Sequence, residues 1–343
     1  MLKKITEVKS VATREKFVRE VILDEIKDYI TSYRVDAMGN LIVYKKSSLN
    51  LEEPLSVMMV AHMDEVGLVV TEITDDGLLK FDYISIINLD AIVSKRVKCG
   101  DLQGVVGSVS LAGIPIAERC NRVKLDDLFI DIGAISKEDA EQYVMPGDVF
   151  SFVSDYVEFG DGFIKALALD NRVGCAIMMD ALKEDYNCDI VCIFTAQEET
   201  AMRGAKAAAF GIEADFALNF DTTLANDTTG VPSHMMGSKI GKGAEYTVKG
   251  KGTVSDLQLV DLLKNVSEQY SLPLQMGNLA FSSGDLLEIA TANGGTRNIA
   301  ISVPARYAHT PVCVISNKDF CATKEIVKMF LHRINSDMMK GRD

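Results

Sequence analysis

The stretch Pro54-Leu55-Ser56-Val57-Met58-Met59-Val60-Ala61-His62-Met63-Asp64-Glu65 decides the fold. Its apolar residues run on without alternation. That is the pattern of a strand buried on both faces, as in a sheet covered by helices on either side. The run then stops at a histidine and two acids. The same design recurs along the chain. Asp189-Ile190-Val191-Cys192-Ile193-Phe194-Thr195 leads into Gln197-Glu198-Glu199, and Asp215-Phe216-Ala217-Leu218-Asn219-Phe220 leads into Asp221. Asn298-Ile299-Ala300-Ile301-Ser302-Val303 is followed, past Pro304, by His309, and Ala166-Leu167-Ala168-Leu169 leads into Asp170.

Helical patterns lie between these strands. Phe17, Val21, Ile22, Ile26 and Ile30 recur near the helical period over about 12–32. Residues 172–184, 202–211, 255–270 and about 317–336 also read as helices, the second closing at Gly211. Val35 to Tyr44 reads as strand–turn–strand, with the turn at Gly39-Asn40. Strands alternating with helices predict a mixed α/β fold, a mixed sheet sandwiched by helices. From about 67 to 163 the texture differs: short β-type runs such as Leu68-Val69-Val70-Thr71 and Val105-Val106-Gly107-Ser108-Val109 are split by Gly- and Asp-rich turns, with one helical piece opened by Ser136. This stretch reads as a small β-rich domain, 67–163, inserted into a discontinuous α/β domain of 1–66 and 164–343.

In open α/β sheets, ligands bind beyond the carboxyl ends of the strands. The strand endings above would bring His62, Asp170, Glu198, Glu199, Asp221 and His309 to one rim. Singly, each has an ordinary explanation as a loop residue, a helix cap or a solvated surface group. Their shared position after apolar strands is the signal. Oxygen and imidazole donors without cysteine suit a catalytic Zn2+, Co2+ or Mn2+ site. Two histidines and three or more carboxylates exceed the needs of one catalytic zinc and suit two ions with a bridging carboxylate. The other two histidines, His234 and His332, lack this placement.

The chain has 343 residues, 49 Asp+Glu against 36 Lys+Arg, and a net charge of −13. That balance disfavours nucleic acid, whose phosphates need a basic surface. No apolar run approaches the ~18 residues of a membrane span. The charged start, Met1-Leu2-Lys3-Lys4-Ile5-Thr6-Glu7, lacks the apolar core of a secretory signal, so a cytoplasmic location is expected. The cysteines, 7 in number, include no C-x-x-C pair and read as reduced, mostly buried thiols.

Taken together, the motifs resemble peptidase family M42, the tetrahedral aminopeptidases with two metal ions per active site. They are Ala61-His62-Met63-Asp64-Glu65-Val66-Gly67, Ala168-Leu169-Asp170-Asn171-Arg172-Val173-Gly174, Ala196-Gln197-Glu198-Glu199 with Arg203-Gly204-Ala205, Asp221-Thr222-Thr223 with Asp227, and Arg306-Tyr307-Ala308-His309-Thr310-Pro311. The resemblance covers nearly the whole chain. It implies that Asp170 bridges two divalent ions, that His62 and Asp221 complete one site, and that Glu199 and His309 complete the other. It implies Glu198 as the general base and Asp64 as the carboxylate that orients the His62 imidazole. It further implies a PDZ-like insert used for dimer contacts, dimers that assemble into a tetrahedral homo-dodecamer, and peptide substrates. The sequence departs from the family pattern at Cys313, where Glu is frequent, at Ser283-Gly284-Asp285 and at Gly295-Thr296-Arg297-Asn298. None of these is an assigned ligand.

Two other readings compete. A glycoside hydrolase using two carboxylates is one, since some members of this family have been labelled endoglucanases. Zero Trp and 7% aromatic residues argue against the platforms that sugar sites present. A non-catalytic assembly protein on the same scaffold is the other, and the presence of all six rim residues argues against it. Specificity stays open: a basic group such as Arg297 or Lys239 in the pocket would select acidic N-terminal residues.

Overall fold

The computed structural model describes residues 1–49, 53–109, 122–277, 284–335 and 338. Strands β1 (Ser32–Val35), β2 (Leu41–Lys45) and β3 (Leu55–His62) come first. The chain then leaves the main sheet for six strands, β4 (Gly67–Ile73), β5 (Leu79–Ile84), β6 (Arg96–Cys99), β7 (Leu102–Ser108), β8 (Leu128–Asp131) and β9 (Val149–Phe152). It returns through β10 (Val157–Phe159), β11 (Phe163–Ala166), β12 (Cys188–Thr195), β13 (Phe216–Leu224), β14 (Ala244–Thr247), β15 (Leu274–Met276), β16 (Arg297–Arg306) and β17 (Cys313–Ser316).

The main sheet is mixed, in the order β1-β2-β12-β3-β13-β16-β17-β11-β10, with β14 on β16 and β15 on β14. Its centre is parallel: β12, β3, β13 and β16 run together, Thr195 opposite His62 and Asn219 opposite Val60. Strand β11 is antiparallel to β17, which is antiparallel to β16. Thus β11 points the same way as the centre, and all five strands deliver their carboxyl ends to one rim. The six intervening strands close into a barrel, β4-β5-β8-β7-β6-β9, with Leu68 of β4 opposite Phe150 of β9.

Side-chain alternation divides the core. Val57, Met59 and Ala61 face one layer, and Met58 and Val60 face the other. The first layer holds α1 (Leu2–Thr6), α2 (Lys16–Ile26), α5 (Leu169–Ala181), α7 (Leu257–Tyr270) and α9 (Asn317–Arg333), and the second holds α6 (Arg203–Ala209) and α8 (Leu286–Ile289). The helices α3 (Leu89–Ile92) and α4 (Lys137–Ala140) belong to the barrel segment, which has its own apolar core around Leu68, Val97, Ile130 and Phe150. Each fully buried side chain of this size contributes roughly 1.5–3 kcal/mol relative to exposure.

Local chemistry sets the ends. Asp256 caps α7 by accepting hydrogen bonds from the N–H groups of Gln258 and Leu259, and Ser316 caps α9 through Asp319. Ser136 caps α4 in the same manner. Several expectations shift. The first long helix is shorter than the predicted span, α2 giving way to a 3-10 turn at Lys27–Tyr29 before β1. It buries Val18, Ile22 and Ile26, while Phe17 is 64% exposed, because residues spaced by four share a face and Phe17 is one position off it. Helix α5, expected to bury one face, is buried nearly all round between the sheet and the helices packed over it. Strand β13 continues past Phe220, so Asp221 lies within it. Among the described cysteines, all are free thiols; Cys175, Cys188, Cys192 and Cys313 are buried, and Cys321 is exposed. Cys120 and Ser283 lie outside the described residues.

Candidate metal centre

The rim carries the predicted cluster. His62 ends β3, Asp221 lies on β13, and Glu198 and Glu199 follow β12. Asp170 opens α5 with non-helical φ and ψ, and His309 follows β16. Each of three groups of side chains brings its ligand atoms within 4.8 Å of one another: His62, Asp170 and Asp221; Asp170, Glu199 and His309; and His62, Glu198 and Glu199. Asp170 belongs to the first two. Its Oδ1 lies 3.4 Å from His62 Nε2, and its Oδ2 lies 3.5 Å from His309 Nε2. One carboxylate thus turns one oxygen to each histidine. Asp221 Oδ1 is 3.8 Å from His62 Nε2, and Glu199 Oε2 is 3.8 Å from His309 Nε2. Glu198 Oε2 stands 3.8 Å from His62 Nε2.

Supporting contacts aim these groups. His309 Nδ1 lies 2.8 Å from the Ile86 carbonyl and 3.4 Å from Ser85 Oγ. His62 Nδ1 lies 3.2 Å from the Asp64 carbonyl. A ring nitrogen that faces a carbonyl carries the proton, so in the neutral imidazoles Nε2 is the atom that turns a lone pair to the cluster. The Asp64 carboxylate, expected to orient His62, lies 3.6 Å from Nδ1. Its hydrogen bonds come from the main-chain N–H of Glu198 at 3.0 Å and of Glu199 at 3.1 Å. It therefore also fixes the turn that presents both glutamates.

The backbone here is unusual. Ser85, Gln197, Ala201, Met202 and His309 all adopt left-handed φ, sparsely populated for non-glycine residues. Gly284, at φ +47°, approaches Asp221 so closely that a Cβ would meet Asp221 Oδ2 at 2.7 Å. Gly204 has a similar duty, since a Cβ there would meet the Ala196 carbonyl at 1.9 Å. Beneath the cluster, buried Arg172 donates to the carbonyls of Met63, Ile5 and Val8 and pairs with Glu65 at 3.5 Å. Thr195 donates to buried Asp285.

The electrostatics ask for cations. Burial, followed by the neighbouring Asp170, pushes Glu199 up to about 8. Burial also pushes Asp221 well above the carboxylate range, Asp170 adding to it, and pushes Glu198 up together with Asp285 and Glu199. Asp285 rises to about 6 through burial. Burial works to raise Asp170 as well, but His62 and His309 outweigh it and hold the group down at about 2. Burial disfavours a charged His62, yet Glu198, Asp170, Asp64 and Asp221 around it raise its pKa well above the ordinary value. Without cations these carboxylates cannot all be ionised together, so some keep protons. Glu199 Oε1 is buried and has no hydrogen-bond partner among the described residues. A cluster of donor oxygens that is short of positive charge and leaves a buried acceptor unmet fits divalent ions.

The cluster lies at the floor of a cavity of about 950 Å3. Part of its wall is the barrel segment Ser85–Asp90. Nothing in the apolar-strand pattern pointed to that segment, because its role depends on a contact between residues more than two hundred positions apart. Among the described residues, the lysines and arginines that reach the cavity are Lys251 and Arg122, the latter paired with Asp90 at 3.3 Å. Among the described residues Lys251 makes no ion pair, which leaves it open to a bound molecule. The expected candidates differ: Arg297 is bidentate on Asp256 at 2.8 Å, and Lys239 does not line the cavity. Arg306 and Asp227, from two of the sequence motifs, form their own bidentate pair at 2.6 and 2.8 Å and tie the loop after β13 to the end of β16. Of the remaining histidines, His332 packs on Tyr186 and faces Glu184 at 3.2 Å. The side chain of His234 lies outside the described residues. Among the described residues, no helix is long and apolar enough to cross a membrane.

Known proteins resemble this chain along most of its length. Residues 39–326 match the family model described as M42 glutamyl aminopeptidase. A protein of Acetivibrio thermocellus, provisionally named an aminopeptidase, is 38% identical over 321 residues, 93% of this chain and 94% of that one. A solved aminopeptidase of the archaeon Desulfurococcus kamchatkensis superposes with a TM-score of 0.92 at 30% identity, over 99% of this chain and 95% of the other. A TET peptidase of Pyrococcus horikoshii, described as able to assemble into a tetrahedron or a large octahedral shell, gives 0.83 at 27% identity over 97% and 98%.

Proposed function

The chain belongs to the M42 glutamyl aminopeptidase family, and from that premise we propose that it removes N-terminal residues from peptides with the help of two divalent metal ions. The observation that carries this reading is the pair of three-residue groups sharing Asp170. His62, Asp170 and Asp221 would hold one ion, and Asp170, Glu199 and His309 the other; zinc, cobalt and manganese all suit such donors. When bound, the ions supply Lewis acidity toward the scissile carbonyl and a lowered pKa for water.

The chain's own residues do the rest. The carbonyls of Asp64 and Ile86 fix the tautomers of His62 and His309. Asp64 holds the Glu198–Glu199 turn in place. Glu198 is left as the general base: it takes the proton of the attacking water and passes it to the departing amine nitrogen. The open cavity admits a peptide terminus.

We read 1–66 with 164–343 as one catalytic domain and 67–163 as an inserted, PDZ-like contact domain. The separate apolar core of the barrel supports that division. Exposed Ile135, Tyr143 and Met145 on it, at 88%, 62% and 66%, suit a self-association surface. Assembly toward a dodecamer is then read by sedimentation of the full chain, and a monomer at micromolar concentration contradicts it.

Glu198→Gln tests the mechanism. It is expected to keep its metal content while peptide hydrolysis falls by about 10²–10⁴-fold. Undiminished turnover would remove Glu198 from the role. Cello-oligosaccharides assayed under the same metal loading decide the glycosidase reading, and their cleavage in place of peptides would establish it.

A further inference from the structure

A second cavity, of about 420 Å3, lies between the N-terminal segment and the barrel. It shares no lining residue with the metal cavity. Its volume falls within the roughly 300–1,000 Å3 of small-molecule sites. Among the described residues, three cations line it: Lys9, Arg14 and Lys98. In a chain with 13 more acids than bases, none of the three makes a side-chain hydrogen bond or ion pair among the described residues. Lys9 and Lys98 are half-buried. Burial, followed by Arg172 and Lys98 nearby, lowers the Lys9 pKa although Glu65 and Asp155 act the other way.

Two acids also reach this cavity, Glu7 and Asp148. Each has another partner: Glu7 faces Lys3 at 3.9 Å, and Asp148 accepts from the Met145 N–H at 2.8 Å. Val8, Val11, Phe17 and Val149 supply apolar wall. The Cys99 thiol, its pKa raised by burial and by Asp148, is a neutral part of the same wall. Unpaired cations beside apolar surface recognise an anion with an apolar body. The two acids disfavour a dianion such as phosphate and leave room for a single negative charge.

We propose that this cavity binds a small monocarboxylate with an apolar body, its carboxylate held by Lys9 and Lys98 and its hydrocarbon part against Val8, Val11 and Phe17. The proposal is independent of the peptidase reading. The site is also joined to the rim. Ser10, next to Lys9, donates its N–H to Glu65 at 3.2 Å, and Ser151 in the cavity wall donates to the same oxygen at 3.0 Å.

Calorimetric titration of the metal-loaded full chain with 4-phenylbutyrate tests the assignment, with 4-phenylbutanol and inorganic phosphate as parallel probes. Because a carboxylate can also enter the metal cavity, the variants decide. The Lys9→Ala/Lys98→Ala double variant is expected to weaken 4-phenylbutyrate by about tenfold or more, and Lys9→Arg/Lys98→Arg to retain it. Peptide turnover without the probe should be unchanged in both. The single variant Lys98→Ala, with its melting temperature checked, gives an intermediate loss if the double variant folds poorly. Absence of binding at millimolar 4-phenylbutyrate overturns the proposal. So does undiminished binding in the alanine variants, or equal binding of 4-phenylbutanol. Preference for phosphate overturns the monocarboxylate assignment.

Discussion

The two halves of the candidate metal cluster are built in different ways. His62 and Asp221 stand on neighbouring parallel strands of the main sheet, where hydrogen-bond register places them, and they are 2% and 9% exposed. His309 and Glu199 stand on connections beyond strand ends. The His309 side chain is 38% exposed, and its Nδ1 leans on Ile86 of the barrel segment. The Glu199 N–H is fastened by Asp64. The first half is a property of the sheet. The second depends on contacts that join distant parts of the chain. Asp170 belongs to both, so it is where the distinction breaks down.

The largest effect is therefore expected at Asp170. Asp170→Asn should empty both halves and cut peptide turnover by about 10³-fold or more, as the loss of metal assistance costs several kcal/mol. Metal analysis after dialysis checks this, and retention of a full complement would mean that Asp170 does not bridge. Next comes Asp64→Ala. It strands the buried Glu199 N–H and the part-buried Glu198 N–H at about 1–3 kcal/mol for a buried group, so thermal and denaturant unfolding should show a loss of roughly 2–5 kcal/mol. The His309 half, which depends on the Glu199 turn, should loosen more than the His62 half.

A smaller effect separates metal-free from metal-loaded protein across pH. Glu199, at about 8 in the folded chain against an ordinary 4.5, keeps a proton that the unfolded chain has already released. A folded state that binds more protons loses stability as pH rises. Metal-free protein should thus lose melting temperature steadily between about pH 4.5 and 8. Asp170 acts in the opposite sense, but only as pH falls below about 4 toward 2. In loaded protein the ions replace the protons and the decline should vanish; equal slopes in the two forms would contradict that exchange. The smallest effect belongs to Ser85→Ala. The Ile86 carbonyl still holds His309, so metal titration should show about tenfold weakening or less, confined to one of two ions. Equal weakening of both would erase the difference between the halves.

This contrast also explains what could be read from sequence. The five strand endings and their polar residues were visible because burial on both faces writes an uninterrupted apolar run, and a polar residue after such a run is conspicuous. The contribution of Ser85 and Ile86 was not visible. Their segment looks like any turn, and its function arises only when the barrel segment packs beside the rim. The same limit applies to basic residues. Arg297 was a reasonable pocket candidate by type, but Asp256, forty-one positions away, claims its guanidinium. Lys251 had no local mark at all. Phe17 shows the limit of periodicity: Phe17 and Val18 are both apolar, and only the phase set by Ile22 and Ile26 tells which one is buried.

On the proposed function, one carboxylate, that of Asp170, joins two ion sites of unequal construction. The measurement that tests this most directly is metal titration of the chelator-stripped full chain, followed by calorimetry and peptide turnover together. Two zinc or cobalt equivalents per chain are predicted, the first binding more tightly than the second, with turnover returning as the second site fills. Saturation at a single equivalent with full activity, or full activity in stripped protein with metal shown to be absent, would contradict the account.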